Sequence, residues 1–259
     1  MAQAQLGELD LHYVERGSGP ALLLVPGIPA IASDWAPLAE RLSDSRRVIA
    51  YDNRGSGASS VTPAPYTCAQ LAADAVALLD ELGVERADVF GMSLGGMIAQ
   101  ELALAWPDRV NRLVLGCTHC GLEHAARPER DAGRAFAMET DDWAERMEAL
   151  APFAFAAGVD GELLSRFVEK KAADVQDPEG YRGQIAAALA HDTYDRLPVI
   201  DCPTLILTGD KDRVIPPASS DVLHERIPDS RLEVIAGAGH LFFLERPEES
   251  LRLLQGFLR

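Results

Sequence analysis

Short apolar runs alternate along the chain with longer segments whose apolar residues recur at helical spacing. The runs at 21–25 and 48–51 are apolar at almost every position, which is typical of strands that are buried on both faces. The run at 9–14 alternates apolar and polar residues, so it predicts a half-solvated strand at an edge of the sheet. Further strands are predicted at 87–90, 110–115, 204–207 and 232–235.

Helical periodicity fills the intervals between most of these strands. This alternation predicts an α/β fold, in which helices cover both faces of a doubly wound, mostly parallel sheet. The predicted helices of this kind are 34–42, 67–82, 95–105, 218–226 and 245–258.

One stretch, from 119 to 195, breaks the alternation, because it is rich in Ala, Glu and Arg and has no strand pattern. An all-helical insertion between two sheet strands is expected to cap the C-terminal edge of the sheet, where the sites of α/β proteins lie. The sequence therefore predicts a core of residues 1–118 and 196–259 and a helical cap of residues 119–195, with a peripheral decoration as the alternative. Helices within the cap are predicted at 141–150, 161–173 and 181–190.

The composition narrows the class of partner. The chain has 24 Lys and Arg residues against 40 Asp and Glu residues, a formal net charge of −16. A surface of this sign repels phosphate backbones and anionic lipid headgroups, which argues against nucleic acid and membranes as partners. The N-terminal residues lack the basic start and apolar stretch of a signal peptide, and no run approaches the roughly 18 apolar residues of a membrane span. We therefore expect a soluble, cytoplasmic protein that acts on a small molecule.

Cysteine and histidine offer one candidate metal site. Four cysteines in 259 residues do not form the dense framework of a disulfide-stabilised domain. Cys117, His119 and Cys120, with His124 close behind, resemble half of a zinc site, but no second Cys/His pair stands at ligand spacing elsewhere in the sequence. The sequence therefore predicts no metal and assigns these residues to the end of a strand and the loop after it.

Ser93 lies at the centre of the pentapeptide Gly91-Met92-Ser93-Leu94-Gly95, between a predicted strand and a predicted helix. A chain that leaves a strand through a tight turn and enters a helix pushes the central side chain out of the turn, which exposes a serine hydroxyl for attack. The helix N-terminus directs free N–H groups at the space above that hydroxyl. We therefore predict Ser93 as a nucleophile and the N–H of Leu94 as one donor of an oxyanion hole; an ordinary glycine-rich turn is the alternative.

A serine nucleophile needs a base, and the base needs a carboxylate that holds its tautomer. His240 follows the last predicted strand, and Asp212 follows the strand before it, so both loops lie at the same sheet edge as Ser93. The order Ser, Asp, His along the chain agrees with this architecture. We predict His240 as the base and Asp212 as its partner, with Asp210 as the rival carboxylate and a plain loop or core histidine as the alternative for His240.

These motifs resemble those of the α/β-hydrolase superfamily over nearly the whole chain. The resemblance implies the α/β-hydrolase fold with an inserted helical cap, and acyl transfer through a Ser-His-Asp triad without a cofactor. Besides the serine pentapeptide, the residues that carry it are Gly209-Asp210-Lys211-Asp212 with Pro216, Gly237-Ala238-Gly239-His240, and Asp52-Asn53-Arg54-Gly55-Ser56-Gly57-Ala58-Ser59, a stretch that is structural in the family.

One departure from the family pattern falls in the loop after the strand at 21–25. The family usually carries His-Gly there, and the residue after that glycine supplies an oxyanion-hole amide, whereas this chain reads Pro26-Gly27-Ile28-Pro29. Gly27, Pro29 and Trp35 still fit the pattern. The resemblance therefore implies the N–H of Ile28 as the second donor.

Within the superfamily, the size of the chain, the compact cap and the stretch 96–103 resemble the 3-oxoadipate enol-lactonase and small carboxylesterase group. This resemblance implies hydrolysis of an ester or a lactone. The same triad also serves cofactor-free haloperoxidases, which are perhydrolases, and C–C bond hydrolases. Some proteins of this fold are small-molecule receptors rather than enzymes, although a complete triad favours an enzyme.

Aromatic residues in the predicted cap indicate where a substrate would be held. Trp143, Phe136, Phe153 and Phe155, together with Met92 beside the predicted nucleophile, are expected to line an apolar pocket. The alternative is that the aromatic side chains pack the cap onto the core.

Overall fold

One sheet forms the centre of the protein, and the predicted doubly wound, mostly parallel α/β fold is confirmed. The computed structural model describes residues 2–140, 142–174 and 176–259. The strands within these ranges are β1 (Ala2–Leu6), β2 (Leu9–Arg16), β3 (Ala21–Val25), β4 (Arg47–Tyr51), β5 (Ala87–Met92), β6 (Val110–Gly116), β7 (Thr204–Gly209) and β8 (Ser230–Ile235). They lie in the order β1-β2-β4-β3-β5-β6-β7-β8; β2 pairs antiparallel with β1 and β4, and the other neighbours pair in parallel.

Helices cover both faces of this sheet. Short 3₁₀ helices occur at Ala32–Trp35, Pro107–Arg109 and Tyr194–Val199. Within the described ranges, no helix combines the length and the apolar composition needed to cross a bilayer. The helices are α1 (Ala36–Leu42), α2 (Cys68–Glu81), α3 (Leu94–Ala105), α4 (Arg130–Phe136), α5 (Trp143–Ala154), α6 (Gly161–Ala173), α7 (Pro178–Ala190), α8 (Ala218–Arg226), α9 (Phe242–Glu245) and α10 (Pro247–Phe257).

The central strands are buried on both faces, as their apolar runs predict. Successive side chains of a strand point to opposite faces, so β3 contributes to two hydrophobic clusters. Leu23 and Val25 pack with residues of α2 and α3, while Leu22 and Leu24 pack with residues of α1 and α10. The strand that precedes the loop of Ile28 is therefore fixed from both sides.

The prediction that residues 9–14 form an edge strand is wrong. β2 lies between β1 and β4, and β1 forms the edge at this end of the sheet. The residues of β1 alternate small alanines with glutamines, so they carry too little apolar surface to stand out in the sequence as a strand. Gly7, at φ +69°, lies in the tight turn between β1 and β2, in a backbone region that other residues rarely adopt.

The described residues between β6 and β7 form helices and contribute no strand to the sheet. The two ends of this segment meet, because the Thr193 N–H donates to the Cys120 carbonyl at 2.8 Å and Gly121 forms an isolated bridge with Asp192. The segment thus leaves and rejoins the sheet at one place. The division into a core of residues 1–118 and 196–259 and a cap of residues 119–195 stays a prediction, and we use "cap" below for that segment.

Two details of the cap differ from the prediction. The sequence analysis missed α4, which is only seven residues long. It also placed the start of α7 three residues late. The helix begins at Pro178, because the Asp177 side chain caps it by accepting hydrogen bonds from the N–H groups of Glu179 and Gly180. The predicted start of α5 at Asp141 lies outside the described residues, and α5 begins at Trp143.

Candidate active site

Ser93 occupies the turn between β5 and α3. Its backbone has φ 57° and ψ −122°, a region that residues other than glycine rarely adopt. Hydrogen bonds hold the turn: the Ser93 N–H donates to the Gly116 carbonyl at 2.8 Å, and Thr118 Oγ1 donates to the Ser93 carbonyl at 2.8 Å. Strain of this kind persists where the surrounding structure imposes it, and here the strained residue lines a cavity.

Glycines permit the close crossing of strands and helix at this turn. A Cβ added to Gly91 would overlap the carbonyl of Gly95, and one added to Gly95 would overlap the carbonyl of Val25. A Cβ added to Gly27 would come within 2.9 Å of the Ser93 Cβ. The loop that follows β3 therefore lies directly beside the predicted nucleophile.

His240 and Asp212 form a buried, hydrogen-bonded pair. His240 Nδ1 lies 2.7 Å from Asp212 Oδ2, and the two residues are 7 % and 5 % exposed. The other carboxylate oxygen of Asp212 accepts from the N–H groups of Val214 and Ile215, at 2.8 and 2.9 Å. An ionised Asp212 holds the proton of the imidazole on Nδ1, which leaves Nε2 as the basic nitrogen.

The rival carboxylate, Asp210, has a different position. It accepts a hydrogen bond from the Gly237 N–H at 2.6 Å and forms an ion pair with Lys211 at 3.2 Å. Partial burial opposes its ionisation, but the Lys211 ammonium and the nearby backbone N–H groups outweigh this and hold the pKa of Asp210 below its usual value. Asp210 thus supports the loop that carries His240, whereas Asp212 contacts the imidazole itself.

Ser93 and His240 line one cavity, which measures about 780 Å³ including its opening to solvent. Ile28, Met92 and Phe136 also line it, so the structure brings these predicted residues together. The remaining wall is mostly apolar and comes largely from α5, α6 and α9 with the residue before it: Met147, Leu150, Ala151, Ala154, Phe167, Leu241, Phe243 and Leu244.

The other three predicted pocket residues lie outside the lining of this cavity. Trp143 Nε1 donates to the Lys171 carbonyl at 2.6 Å, and the indole faces a separate surface cavity. Phe153 packs with α4 and α5 and lies beneath the Arg213 guanidinium. Phe155 is fully buried behind the wall. Trp143 and Phe153 thus lie on α5 but outside the cavity lining, and Phe155 follows that helix.

The two predicted oxyanion donors belong to two different segments next to Ser93. Leu94 begins α3, and a first-turn N–H of a helix has no intrahelical acceptor. Ile28 lies in the loop after β3 and lines the cavity. The substitution of Pro26 for the usual histidine leaves this loop anchored, because Asn53 Nδ2 donates to the Pro26 carbonyl at 2.9 Å. Asn53 belongs to the stretch 52–59, which explains how that stretch supports the site.

Comparison with known proteins shows the family of this chain. The family described as "alpha/beta hydrolase fold" matches residues 20–247. The chain belongs to the α/β-hydrolase fold family. It is 31% identical over 260 residues to a protein named putative carbamate hydrolase RutD from Azorhizobium caulinodans, with 99% of this chain and 98% of the relative covered. The recognition of the superfamily from sequence is therefore confirmed.

Two solved structures resemble this α/β hydrolase closely. An enol-lactonase from Burkholderia xenovorans LB400 has a TM-score of 0.89 and 29% identity, with 99% of each chain covered. A thermophilic esterase from Thermogutta terrifontis has a TM-score of 0.86 and 29% identity, with 100% of this chain and 97% of the esterase covered. The names of these neighbours agree that the family acts by hydrolysis.

The residues whose spacing resembles half of a zinc site have separate partners in this α/β hydrolase. His119 Nδ1 accepts a hydrogen bond from the backbone N–H two residues further on, at 3.1 Å. The His124 ring stacks on Tyr194 with centroids 3.6 Å apart, and Cys120 is buried at the junction of cap and core. Cys117 faces a different way, toward Asp212.

Cys117 is a neighbour of the His240–Asp212 pair that sequence reasoning missed. Among the described residues, the group of ligating side chains that lies close together is Cys117, Asp212 and His240, whose atoms are within 4.8 Å of one another. Burial, and then the charge of Asp212, raise the pKa of the Cys117 thiol well above its usual value. The thiol is therefore a protonated hydrogen-bond donor beside the carboxylate. The absence of a metal from the reaction stays a prediction.

Two buried histidines lie where the cap meets the core. The rings of His119 and His191 are 6.3 Å apart, and His191 Nε2 lies 3.4 Å from Thr193 Oγ1. Burial lowers the pKa of His119 to about 4. Burial, together with the positive charges of a protonated His119 and of Arg196, lowers the pKa of His191 to about 3. Both imidazoles are thus neutral in the folded protein at pH 7.

We expect this histidine pair to destabilise the protein at mildly acidic pH. In the unfolded chain a histidine binds a proton near pH 6.5, whereas the folded pair does so only near pH 4 and below. The free energy of unfolding is therefore highest above pH 6.5 and decreases as the pH drops toward 4. At pH 5 the decrease is about 2 kcal/mol per histidine. Thermal unfolding should show a loss of several degrees in Tm between pH 7.5 and pH 5.

A double variant, His119→Gln with His191→Gln, separates this effect from the titration of other groups. The variant should be less stable than the wild type at pH 7.5 but should lose less Tm on acidification. An equal loss of Tm in both proteins would contradict the assignment. His224→Gln, at a position outside this junction, is the matched control.

Lys171 is the other residue that sequence reasoning missed. It lies on α6, is 1 % exposed, and lines the cavity with its partner Asp34. Its one signal in the sequence is its position four residues after Phe167, which places the two side chains on the same helix face. A lysine on an apolar face of a helix is usually solvated at its tip, so the pattern gave no reason to place its ammonium in the site.

Proposed function

We propose that this α/β hydrolase is a serine hydrolase that cleaves carboxylic esters or lactones through an acyl-enzyme. The observation that carries the proposal is the His240–Asp212 hydrogen bond at the wall of the cavity that Ser93 also lines. A strained nucleophile turn, a buried base with its tautomer held, and a helix N-terminus at one cavity are the parts that acyl transfer requires.

In the proposed reaction, His240 Nε2 takes the proton of the Ser93 hydroxyl while the oxygen attacks the substrate carbonyl. The N–H groups of Leu94 and Ile28 stabilise the charge that develops on the carbonyl oxygen. The imidazolium then gives its proton to the leaving alcohol, and water, activated by the same imidazole, hydrolyses the acyl-enzyme. Asp212 keeps the imidazole oriented through both halves. No cofactor takes part in these steps.

The charges of the cavity favour a neutral acyl group. Lys171 is the cation among the described residues that line the cavity, and its ammonium donates to the Pro29 carbonyl, to Asp34 and to Asp174, at 2.8, 2.9 and 2.5 Å. These three bonds use all the donors of an ammonium group. A substrate carboxylate would find no free cation among these lining residues and would face the Asp34 carboxylate, so neutral esters and lactones fit better than anionic ones.

We therefore expect many turnovers on p-nitrophenyl butyrate and poor activity on the p-nitrophenyl half-ester of succinic acid. The carboxylate of the half-ester must be buried without a counter-charge, so kcat/KM should be at least about 100-fold lower. The p-nitrophenyl methyl ester of succinic acid, which is neutral and longer, is the matched control and should be accepted. Rates of p-nitrophenolate release, corrected for spontaneous hydrolysis, give these ratios.

Each other result assigns a different function. Preference for the half-ester would move the substrate to an anionic ester or lactone. Release of one equivalent of p-nitrophenolate per chain, with no further turnover, would favour a receptor that stays acylated. A p-nitrophenyl carbamate should be tested beside these esters, since a protein named putative carbamate hydrolase is among the relatives. Carbamate cleavage would use the same acyl transfer to Ser93.

A further inference from the structure

The loop of residues 26–30, which carries Ile28, is held from two directions. From the core, Asn53 Nδ2 donates to the Pro26 carbonyl at 2.9 Å, and within the loop the Ala30 N–H donates to the Gly27 carbonyl at 2.9 Å. From the cap, Lys171 Nζ donates to the Pro29 carbonyl at 2.8 Å. The cap thus holds the backbone one residue away from the proposed oxyanion donor.

Lys171 also fixes the far end of this loop. Its ammonium lies 2.9 Å from Asp34 Oδ2, and the same oxygen accepts from the Ile31 N–H at 2.8 Å. Burial opposes the ionisation of Asp34, but Lys171 and Lys170 outweigh it and hold the pKa of Asp34 below its usual value. One charged group of the cap therefore fastens the loop at Pro29 and, through Asp34, at Ile31.

The burial of this ammonium calls for an explanation beyond stability. Lys171 is 1 % exposed, in a cavity whose wall is otherwise mostly apolar. Buried ion pairs commonly contribute no more stability than well-packed apolar residues of similar size. An apolar side chain at position 171 would dock α6 on the core equally well, but the Pro29 carbonyl would lose the 2.8 Å bond from Lys171 and keep only the longer contact, at 3.4 Å, with Gln176 Nε2.

We propose that Lys171 is a positioning residue that holds the Ile28 N–H in the geometry that stabilises the oxyanion. The proposal rests on the serine hydrolase function proposed above. An oxyanion donor is effective because it is already oriented before charge develops, so a backbone that can rotate loses catalytic power without losing substrate affinity. Lys171 supplies this orientation from the cap, and the catalytic machinery is complete only with the cap docked.

Lys170 provides a matched control on the same helix. Its ammonium pairs with the other oxygen of Asp34 and lies 3.4 Å from Ser33 Oγ. Like Lys171, it also pairs with Asp174, at 3.5 Å. It differs from Lys171 in that all these partners are side chains and none is the Pro29 carbonyl, and its own side chain is 42% exposed. The variants Lys170→Met and Lys171→Met make the same change of charge and volume one residue apart.

We expect Lys171→Met to lower kcat for p-nitrophenyl butyrate about 10- to 100-fold with little change in KM, and Lys170→Met to change kcat less than threefold. The upper limit follows from the loss of about 100-fold or more when an oxyanion donor is removed altogether. Thermal unfolding shows whether each variant is folded. If Lys171→Met does not fold, the double variant Lys171→Met with Asp174→Asn takes its place in the experiment. The double variant removes one positive and one negative charge together.

A thionoester tests whether the loss arises at the oxyanion. Replacing the carbonyl oxygen of the substrate by sulfur weakens the hydrogen bonds that this atom accepts from the oxyanion hole. The ratio of kcat/KM for the ester to kcat/KM for the thionoester therefore measures how much the oxyanion hole contributes. This ratio should fall at least fivefold in the Lys171 variant and should stay unchanged in the Lys170 variant. A general loosening of the cap would lower both rates equally and leave the ratio unchanged.

Three results would overturn the proposal: an unchanged ratio in Lys171→Met, equal loss of kcat in both lysine variants, or a loss confined to KM. Failure of the serine hydrolase function itself would be seen separately, as full activity in Ser93→Ala. The two failures are therefore distinguishable in one set of measurements.

Discussion

Ser93→Ala is expected to lower kcat for p-nitrophenyl butyrate by about 10⁶, because no other group in the proposed mechanism can form the acyl-enzyme. The variant keeps a Cβ at φ 57°, and the hydrogen bonds that hold the turn come from the backbone of Ser93, so the fold should persist. Measurement of kcat, with circular dichroism and thermal unfolding to show the folded state, tests this expectation.

The control for this prediction is Ser33→Ala, which removes an exposed serine hydroxyl outside the proposed triad. Its kcat should stay within about twofold of the wild type. A fluorophosphonate should label the wild type once per chain, and peptide mass analysis should place the label on Ser93. Activity of Ser93→Ala within tenfold of the wild type, with no contaminating esterase, would remove Ser93 as the nucleophile.

The features of this protein that sequence analysis predicted are those determined by neighbouring residues along the chain. The strand, turn and helix around Ser93 are set by an apolar run, two glycines and the helix that follows, and the structure has all three. The Asp212–His240 contact could be predicted because the ends of adjacent parallel strands, β7 and β8, lie side by side.

The features that sequence analysis missed depend on how distant segments pack. Phe136 and Trp143 lie seven residues apart and are both large and aromatic, yet only Phe136 lines the Ser93 cavity, because the docking of α4 and α5 decides which side chain faces it. Lys171 meets the Pro29 carbonyl across 142 positions of sequence. No local pattern encodes such a contact, so the part of the site that belongs to the cap required the structure.

Asp212→Asn is expected to lower kcat about 10⁴-fold, and the hydrogen bonds of Asp212 explain why. Its Oδ1 accepts from the N–H groups of Val214 and Ile215, so an asparagine at this position must place its carbonyl oxygen there. The amide nitrogen then occupies the site of Oδ2 and donates to His240 Nδ1. That bond holds the imidazole proton on Nε2, the nitrogen that must accept the proton of Ser93, and the base is blocked in the wrong tautomer.

Asp210→Asn is the matched comparison, two residues away and with the same change of charge. Asp210 accepts from the Gly237 N–H and pairs with Lys211 rather than with the imidazole, so its variant should retain kcat within about tenfold. Both variants should unfold cooperatively. A fluorophosphonate should label Ser93 in both, and the labelling should be slow only in Asp212→Asn. If Asp210→Asn were the slower enzyme, the carboxylate that orients the base would be Asp210, and the observed His240–Asp212 bond would have to be replaced during the reaction.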